Sequence, residues 1–185
     1  MNIKQFTKDD IENITHKLEG IDLSNINLSK SNLIRANLFG VILIDSNLQG
    51  ANLRGANLSR SNLSKANLTE AKMDPVYLVR ATMRYTVLNR ANLHTANLNS
   101  ADMTKAKLNH CCLIKAQMSG AILNQADLSG AVLESANLSL ANLCGANLTN
   151  TNLTNTNLNE AKYDDHTEWP KHFDLNQCGA IHIKH

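Results

Sequence analysis

The sequence predicts a solenoid, a chain that turns a corner every five residues and stacks coil on coil around a narrow apolar interior. Three observations carry this. From Ile21 to Asp165 the chain reads in unbroken fives, and the central position of each, from Leu23 to Leu158, is Leu or Met, with Tyr163 closing a series of 29. Two positions before each central residue stands a small one, as at Ala36, Ala51, Ala56, Ser61, Ala66 and Ala71, then mostly Ala to Ala146, followed by Thr151 and Thr156. Between the two lies Asn in most pentads, as at Asn32, Asn37, Asn47, Asn52 and Asn57.

A period of five suits neither ordinary element. On a helix the Leu residues would spiral round the axis and leave no single buried face. On a flat strand odd spacing would throw successive Leu side chains to opposite faces. A corner in every pentad turns them all toward one axis. A unit this short cannot bury its apolar residue alone, so it must stack on neighbours. The small position reads as a second inward site, because a close-packed narrow interior has little room. Asn suits a turn, where it tolerates unusual backbone angles and bonds locally. The last two positions of each pentad are variable and polar, and are expected to face solvent.

The A-N-L-x-x run, seen in Ala51-Asn52-Leu53-Arg54-Gly55 and Ala146-Asn147-Leu148-Thr149-Asn150, resembles the pentapeptide-repeat family. The resemblance implies an all-β solenoid, a right-handed quadrilateral β-helix with four pentads per coil. That gives about seven coils and a rod roughly 35 Å long at the spacing of sheet strands. Each buried Leu is expected to contribute about 1.5–3 kcal/mol before entropy.

The organisation is read as three parts. Residues 1–20 are expected to form a short helical cap: Thr7 with Asp10 resembles a capping box, Ile11, Ile14 and Leu18 share a helix face, and Gly20 is a plausible stop. Residues 21–165 form the repeat. Residues 166–185 are expected to be an irregular cap, with Trp169, Phe173 and Leu175 laid over the last coil. The run Thr167-Glu168-Trp169-Pro170-Lys171-His172-Phe173-Asp174 also resembles the tails of many cyanobacterial members of the family. Ala71 to Leu88 is the least regular stretch. Pro75 there cannot donate to a ladder, so a local change of turn is expected without a break in the rod.

Composition excludes several classes. With 185 residues and a net charge of +2, the chain reads as one domain. It has no apolar run long enough for a membrane helix. The start, Met1-Asn2-Ile3-Lys4-Gln5, lacks the apolar centre of a signal peptide, so a cytoplasmic protein is expected. The Asn-x-Ser/Thr triplets are by-products of the repeat. The four cysteines read as reduced and unpaired: Cys111 at the inward small position, Cys112 at the Asn position, Cys144 outward and Cys178 in the tail. A metal site would need Cys112, His110 and a third ligand that nothing supplies, so no metal is expected. Gly-rich phosphate loops and nucleophile–base arrangements are absent, and a seamless repeat leaves no loops from which to build a pocket. Neither an enzyme nor a cofactor is expected.

The chain is therefore read as a non-catalytic interaction or scaffold rod whose flat faces meet a macromolecular partner, most simply another protein. A monomer or weak dimer is expected. Two surface groups stand out. Arg60, Lys65, Arg80, Arg84, Tyr85 and Lys105 fall together when the sequence is read twenty residues per coil. Ile34, Phe39, Ile42 and Ile44 form an apolar group near the start of the rod. The charge is uneven, with twelve Lys and Arg against five Asp and Glu over residues 21–115, and one against five over 116–165. Some members of the family act on DNA gyrase by mimicking DNA with a strongly acidic rod, which makes gyrase modulation the alternative reading. This rod departs from that pattern, being net +3 from 13 basic and 10 acidic residues. It also lacks that branch's loop insertions and long C-terminal helix. Direct nucleic-acid binding through the basic group is a further alternative, whose signature is steep salt dependence.

Overall fold

The computed structural model describes residues 18–184. The N-terminal helix expected from Thr7, Asp10, Ile11 and Ile14 lies outside the described residues. Repeat geometry is already present at Leu18, ahead of Ile21: Leu18 is fully buried and its carbonyl accepts from Ile21 N–H at 3.2 Å, as at later corners.

Each coil is a square of four pentads. The residue before each central Leu or Met bridges, in parallel, to the residue twenty positions on, from Asp22–Ile42 to Asn142–Lys162. The repeat therefore forms four walls. The first wall holds the pentads centred on Leu23, Leu43, Leu63, Met83, Met103, Leu123, Leu143 and Tyr163. The second, third and fourth begin at Leu28, Leu33 and Leu38. Coils are joined by two kinds of backbone bond: Leu98 N–H donates to Gln117 O of the next coil at 2.6 Å, and Asn97 N–H donates back to Val76 O at 2.9 Å.

The corner chemistry explains the pentad. The central residue's carbonyl accepts from the N–H three residues on, as in Ala96 N–H to Leu93 O at 3.0 Å, and the residue before the next small position has a positive φ. That is a type II β-turn, which requires a left-handed residue at its third position. Many of these residues are not glycine: Arg80 has φ 57° and Lys105 φ 57°. The Asn side chain stabilises the corner from inside the pentad. Asn47 Oδ1 accepts from Gln49 N–H and Asn57 Oδ1 from Ser59 N–H, each at 3.1 Å. At Gly130 a Cβ would come within 2.5 Å of His110 Nδ1, one coil below, so a side chain there requires the exposed His110 ring to move. At Asp74–Pro75 the peptide is cis and the left-handed corner is replaced, while the ladder continues through Lys72–Asn92 and Tyr77–Asn97. Pro at the third position in cis defines the type VI turn.

The core is the two inward columns. Nearly every central Leu or Met, and the Ala, Val, Ser or Thr two positions before it, is closed to solvent. Several inward hydroxyls bond to backbone, as Thr86 Oγ1 to Leu63 O at 2.8 Å, whereas those of Ser31 and Ser61 are buried without a hydrogen-bond partner.

Past the last regular coil the tail returns to the rod. A two-residue strand β1, Lys162–Tyr163, pairs in parallel with β2, Ile181–His182. Glu168 bridges Asn147. Between them Trp169 meets Tyr163 edge-on at 5.4 Å and stacks on Phe173 at 5.2 Å, and both Trp169 and Phe173 pack against the core.

Candidate interaction surface

The two groups marked in the sequence converge on the first wall, with one exception. Arg60 and Arg80 stand on the corner between the fourth and first walls, and Lys65, Tyr85 and Lys105 on the corner between the first and second, one coil apart in each step of twenty. The first wall thus has a cationic rim on either side. Arg84 lies across it: Nε donates to Asp102 Oδ2 at 2.6 Å. Burial acts to raise the Asp102 carboxyl, but hydrogen bonds from Thr104 and Arg84 outweigh it and hold the pKa below the ordinary value. Lys105 Nζ sits 5.7 Å from the centre of the Tyr85 ring. Among the described residues, Arg60, Lys65 and Arg80 have no carboxylate partner.

The apolar group joins the same wall at its N-terminal end. Ile42 and Ile44 belong to the first wall, both partly buried, and Phe39 stands on its rim beneath the Arg60 guanidinium, 5.7 Å from the ring centre. The guanidinium over an aromatic face adds about 0.5–1 kcal/mol at an exposed site and holds the side chain against the rod. Ile34 does not join them. It is exposed, at the corner between the third and fourth walls.

Sequence reasoning missed four exposed apolar residues: Ile122, Leu140 and, in β2, Ile181, on the first wall and its rim, and Tyr77 on the fourth wall. Leu140 could have been found, since it occupies the outermost position of its pentad, where polar residues are the rule.

Cys144 corrects the expectation of an outward side chain, for it is buried. The cause is the tail. Asp164 folds over the adjacent corner and its carboxylate accepts from Gly145 N–H at 2.8 Å, where the next coil's backbone carbonyl would otherwise sit. His166 N–H and the Thr167 hydroxyl also donate to it, at 3.1 Å each. Burial acts to raise Asp164, but these donors outweigh it and hold its pKa below the usual carboxylate value. A hollow of about 440 Å³ beside it is lined by Asn124, Gln125, Cys144, Gly145, Asp164 and His166. Its carboxylate is committed to the chain's own donors, which is a structural role.

Cys111 is fully buried, its thiol donates to Leu88 O at 2.8 Å, and burial pushes its pKa up to about 12. Burial, with the nearby Asp164 charge, also raises Cys144. Thiolate is the reactive form. Iodoacetamide on the native protein near pH 8 is therefore expected to modify Cys112 and Cys178 and to spare Cys111 and Cys144 until the protein is unfolded. Peptide mass spectrometry reads this directly, and native labelling of Cys111 at the rate of Cys112 would refute it. Among the described residues, no group of three or more His, Cys, Asp or Glu is placed to hold a metal ion, and no helix is long and apolar enough to cross a membrane.

These walls, corners and inward columns belong to a known class. The sequence matches the family described as Pentapeptide repeats, in eight copies, over residues 17–43, 42–74, 77–113, 111–150 and 136–162, and the chain belongs to that family. Its fold is accordingly a right-handed quadrilateral β-helix, and the family is in general a non-catalytic one. Among solved structures it is similar to HetL, a pentapeptide repeat protein involved in heterocyst differentiation regulation from the cyanobacterium Nostoc sp. strain PCC 7120. The identity is 23%, with 90% of this chain and 86% of HetL covered and a TM-score of 0.63. The pentapeptide repeat protein alr5209, from Nostoc PCC 7120, is 36% identical over 52% of this chain and 84% of its own, with a TM-score of 0.31. Full-length QnrB1, a plasmid-mediated fluoroquinolone resistance protein, is 18% identical over 90% of this chain and 86% of its own, with a TM-score of 0.36. No curated protein sequence matches the chain.

Proposed function

We propose that this protein is a non-catalytic interaction rod of about seven coils. It works in the cytoplasm, its ends are covered by the flanking segments, and it offers its first wall to a protein partner. One observation carries the reading: a flat wall with a continuous hydrogen-bonded ladder brings the cationic rims and the Phe39, Ile42 and Ile44 cluster onto a single face. Arg and Tyr beside exposed apolar side chains is the composition of protein interfaces, where charge on the rim sets register and association rate. The excess of cations on these rims opposes a DNA-mimic role, since a DNA-binding groove is itself basic.

The test compares the protein with two variants, Arg80→Glu with Tyr85→Ala, and Ile42→Asn with Ile44→Ser. A photo-crosslinking residue is placed at Thr82 on the first wall or at Asn92 on the third. A discrete protein adduct formed from Thr82, absent from Asn92 and lost in both variants, is the expected result. Adducts formed equally from both walls would refute it. A nucleic-acid adduct, or protection of gyrase in a supercoiling assay, would replace it with an alternative reading.

A further inference from the structure

The first wall differs from the other three in the position that normally defines the repeat. Asn occupies the bridging site in four of seven pentads on the second wall, four of seven on the third and five of seven on the fourth, but in only two of eight on the first. The replacements are not equivalent in the turn. Asp102 keeps the local bond, accepting from Thr104 N–H at 3.1 Å, whereas Ile42 and Ile122 offer no acceptor to the corner. Side chains that give up a local hydrogen bond and leave Ile122 40% exposed, with Leu140 on the adjoining rim 58% exposed, suit a surface that is covered by something.

The same wall carries both charges. Its rims are basic in the N-terminal half, at Arg60, Lys65 and Arg80, and acidic at the C-terminal end, at Glu160 and Asp165, all exposed. We propose that the first wall is a self-association surface, on which a second copy of this chain packs antiparallel, face to face. A two-fold axis across the wall brings each rim opposite the same rim of the partner, running the other way. With the axis midway between Arg60 and Glu160, Arg60 opposes Glu160, while on the other rim, half a coil out of step, Asp165 falls between Lys65 and Asp45 of the second copy, so the Arg60–Glu160 rim sets the register. Between Arg60 and Glu160 the Arg80 stem opposes Leu140. No like charges meet along the rim that carries Arg60 and Glu160, whereas on the other rim Lys105 lies about half a coil from its own copy. Each pairing occurs twice by symmetry, the mark of an isologous interface.

In this register Ile42 comes opposite the exposed Ile181 of the second copy, on the β2 rung that stacks on Lys162–Tyr163 at the end of the first wall. The overlap is a narrow strip, small for a stable dimer, so the association is weak and salt-sensitive. This inference does not rest on the protein-partner reading, because its test uses the purified chain alone.

Sedimentation velocity on the full-length protein at about 50 mM and about 500 mM salt is the test. A dimer forming in the range of about 10–100 µM at low salt and dissociating at high salt is expected. Arg60→Glu and Glu160→Arg are each expected to weaken it by about tenfold or more, and the double exchange to restore it to within a few-fold. Both sites are exposed, and thermal melts confirm that each variant folds. A monomer at every concentration in low salt overturns the proposal. So does a dimer indifferent to the single reversals, or one that both reversals weaken and the exchange does not restore.

Discussion

Leu98→Ala is expected to lower the free energy of unfolding by about 2–5 kcal/mol. Leu98 is fully buried in the inward column of the fourth wall, between Leu78 and Met118 of the adjacent coils. Its neighbours cannot move in to fill the gap. Its own N–H is tied to Gln117 O, and the coils above and below are held at ladder spacing by bonds of 2.6 to 3.0 Å. A cavity therefore persists, and cavity volume adds to the lost transfer energy. Leu98→Met should cost under about 1.5 kcal/mol, because it conserves volume. Met already fills the equivalent site at Met73, Met83, Met103 and Met118. Urea unfolding of the three proteins measures both differences. A loss below about 1 kcal/mol for Leu98→Ala would mean that the Leu column is not the core.

Trp169→Ala is expected to cost about 2–4 kcal/mol, somewhat less than a fully buried Trp because this ring is only half-buried. Here the damage should be local. Trp169 stacks on Phe173, meets Tyr163 edge-on and packs against the core at the end of the rod. In a solenoid each coil contacts only its neighbours, so an end lost to fraying leaves the middle intact. Hydrogen exchange should show the N–H groups of Leu148, Glu160 and Lys162 losing protection while those of Leu93 and Leu98 keep it. Trp169→Phe tests the polar part of the indole. Nε1 is buried without a hydrogen-bond partner, so replacing it with an apolar ring removes a desolvation penalty while keeping most of the contact. That variant should fall within about 1 kcal/mol of the parent. Uniform loss of protection along the whole rod in Trp169→Ala would show that the chain unfolds as one unit.

The candidate surface was partly legible. Arg60 with Arg80, and Lys65 with Tyr85 and Lys105, were found by counting in twenties, which works because the ladder never slips. The pairing of Phe39 with Arg60 was not found, although the same counting places residue 59 over residue 39. The contact depends on where a long side chain lies at a left-handed corner. Asp102 was absent from the basic group because a carboxylate at the bridging position looks like any other replacement of Asn, and only its bond to Arg84 gives it a place on the wall. Ile34 was grouped with Phe39, Ile42 and Ile44 by closeness in sequence, yet a corner every five residues sends it to a different edge of the square.

The sequence by itself determined the inward columns, the corners and the absence of insertions, because each follows from a pentad that must bury one large and one small residue against identical neighbours. Tertiary structure decided what depends on contact between distant parts. It closed the tail over the last corner, so that Asp164 supplies the acceptor a further coil would have given Gly145 and Cys144 is buried. It placed opposite charges on one wall, Arg60 and Glu160 being a hundred residues apart in the chain and on the same edge of the rod. Local spacing sets which way a side chain points, whereas what it meets is set by how coils stack and where the chain returns.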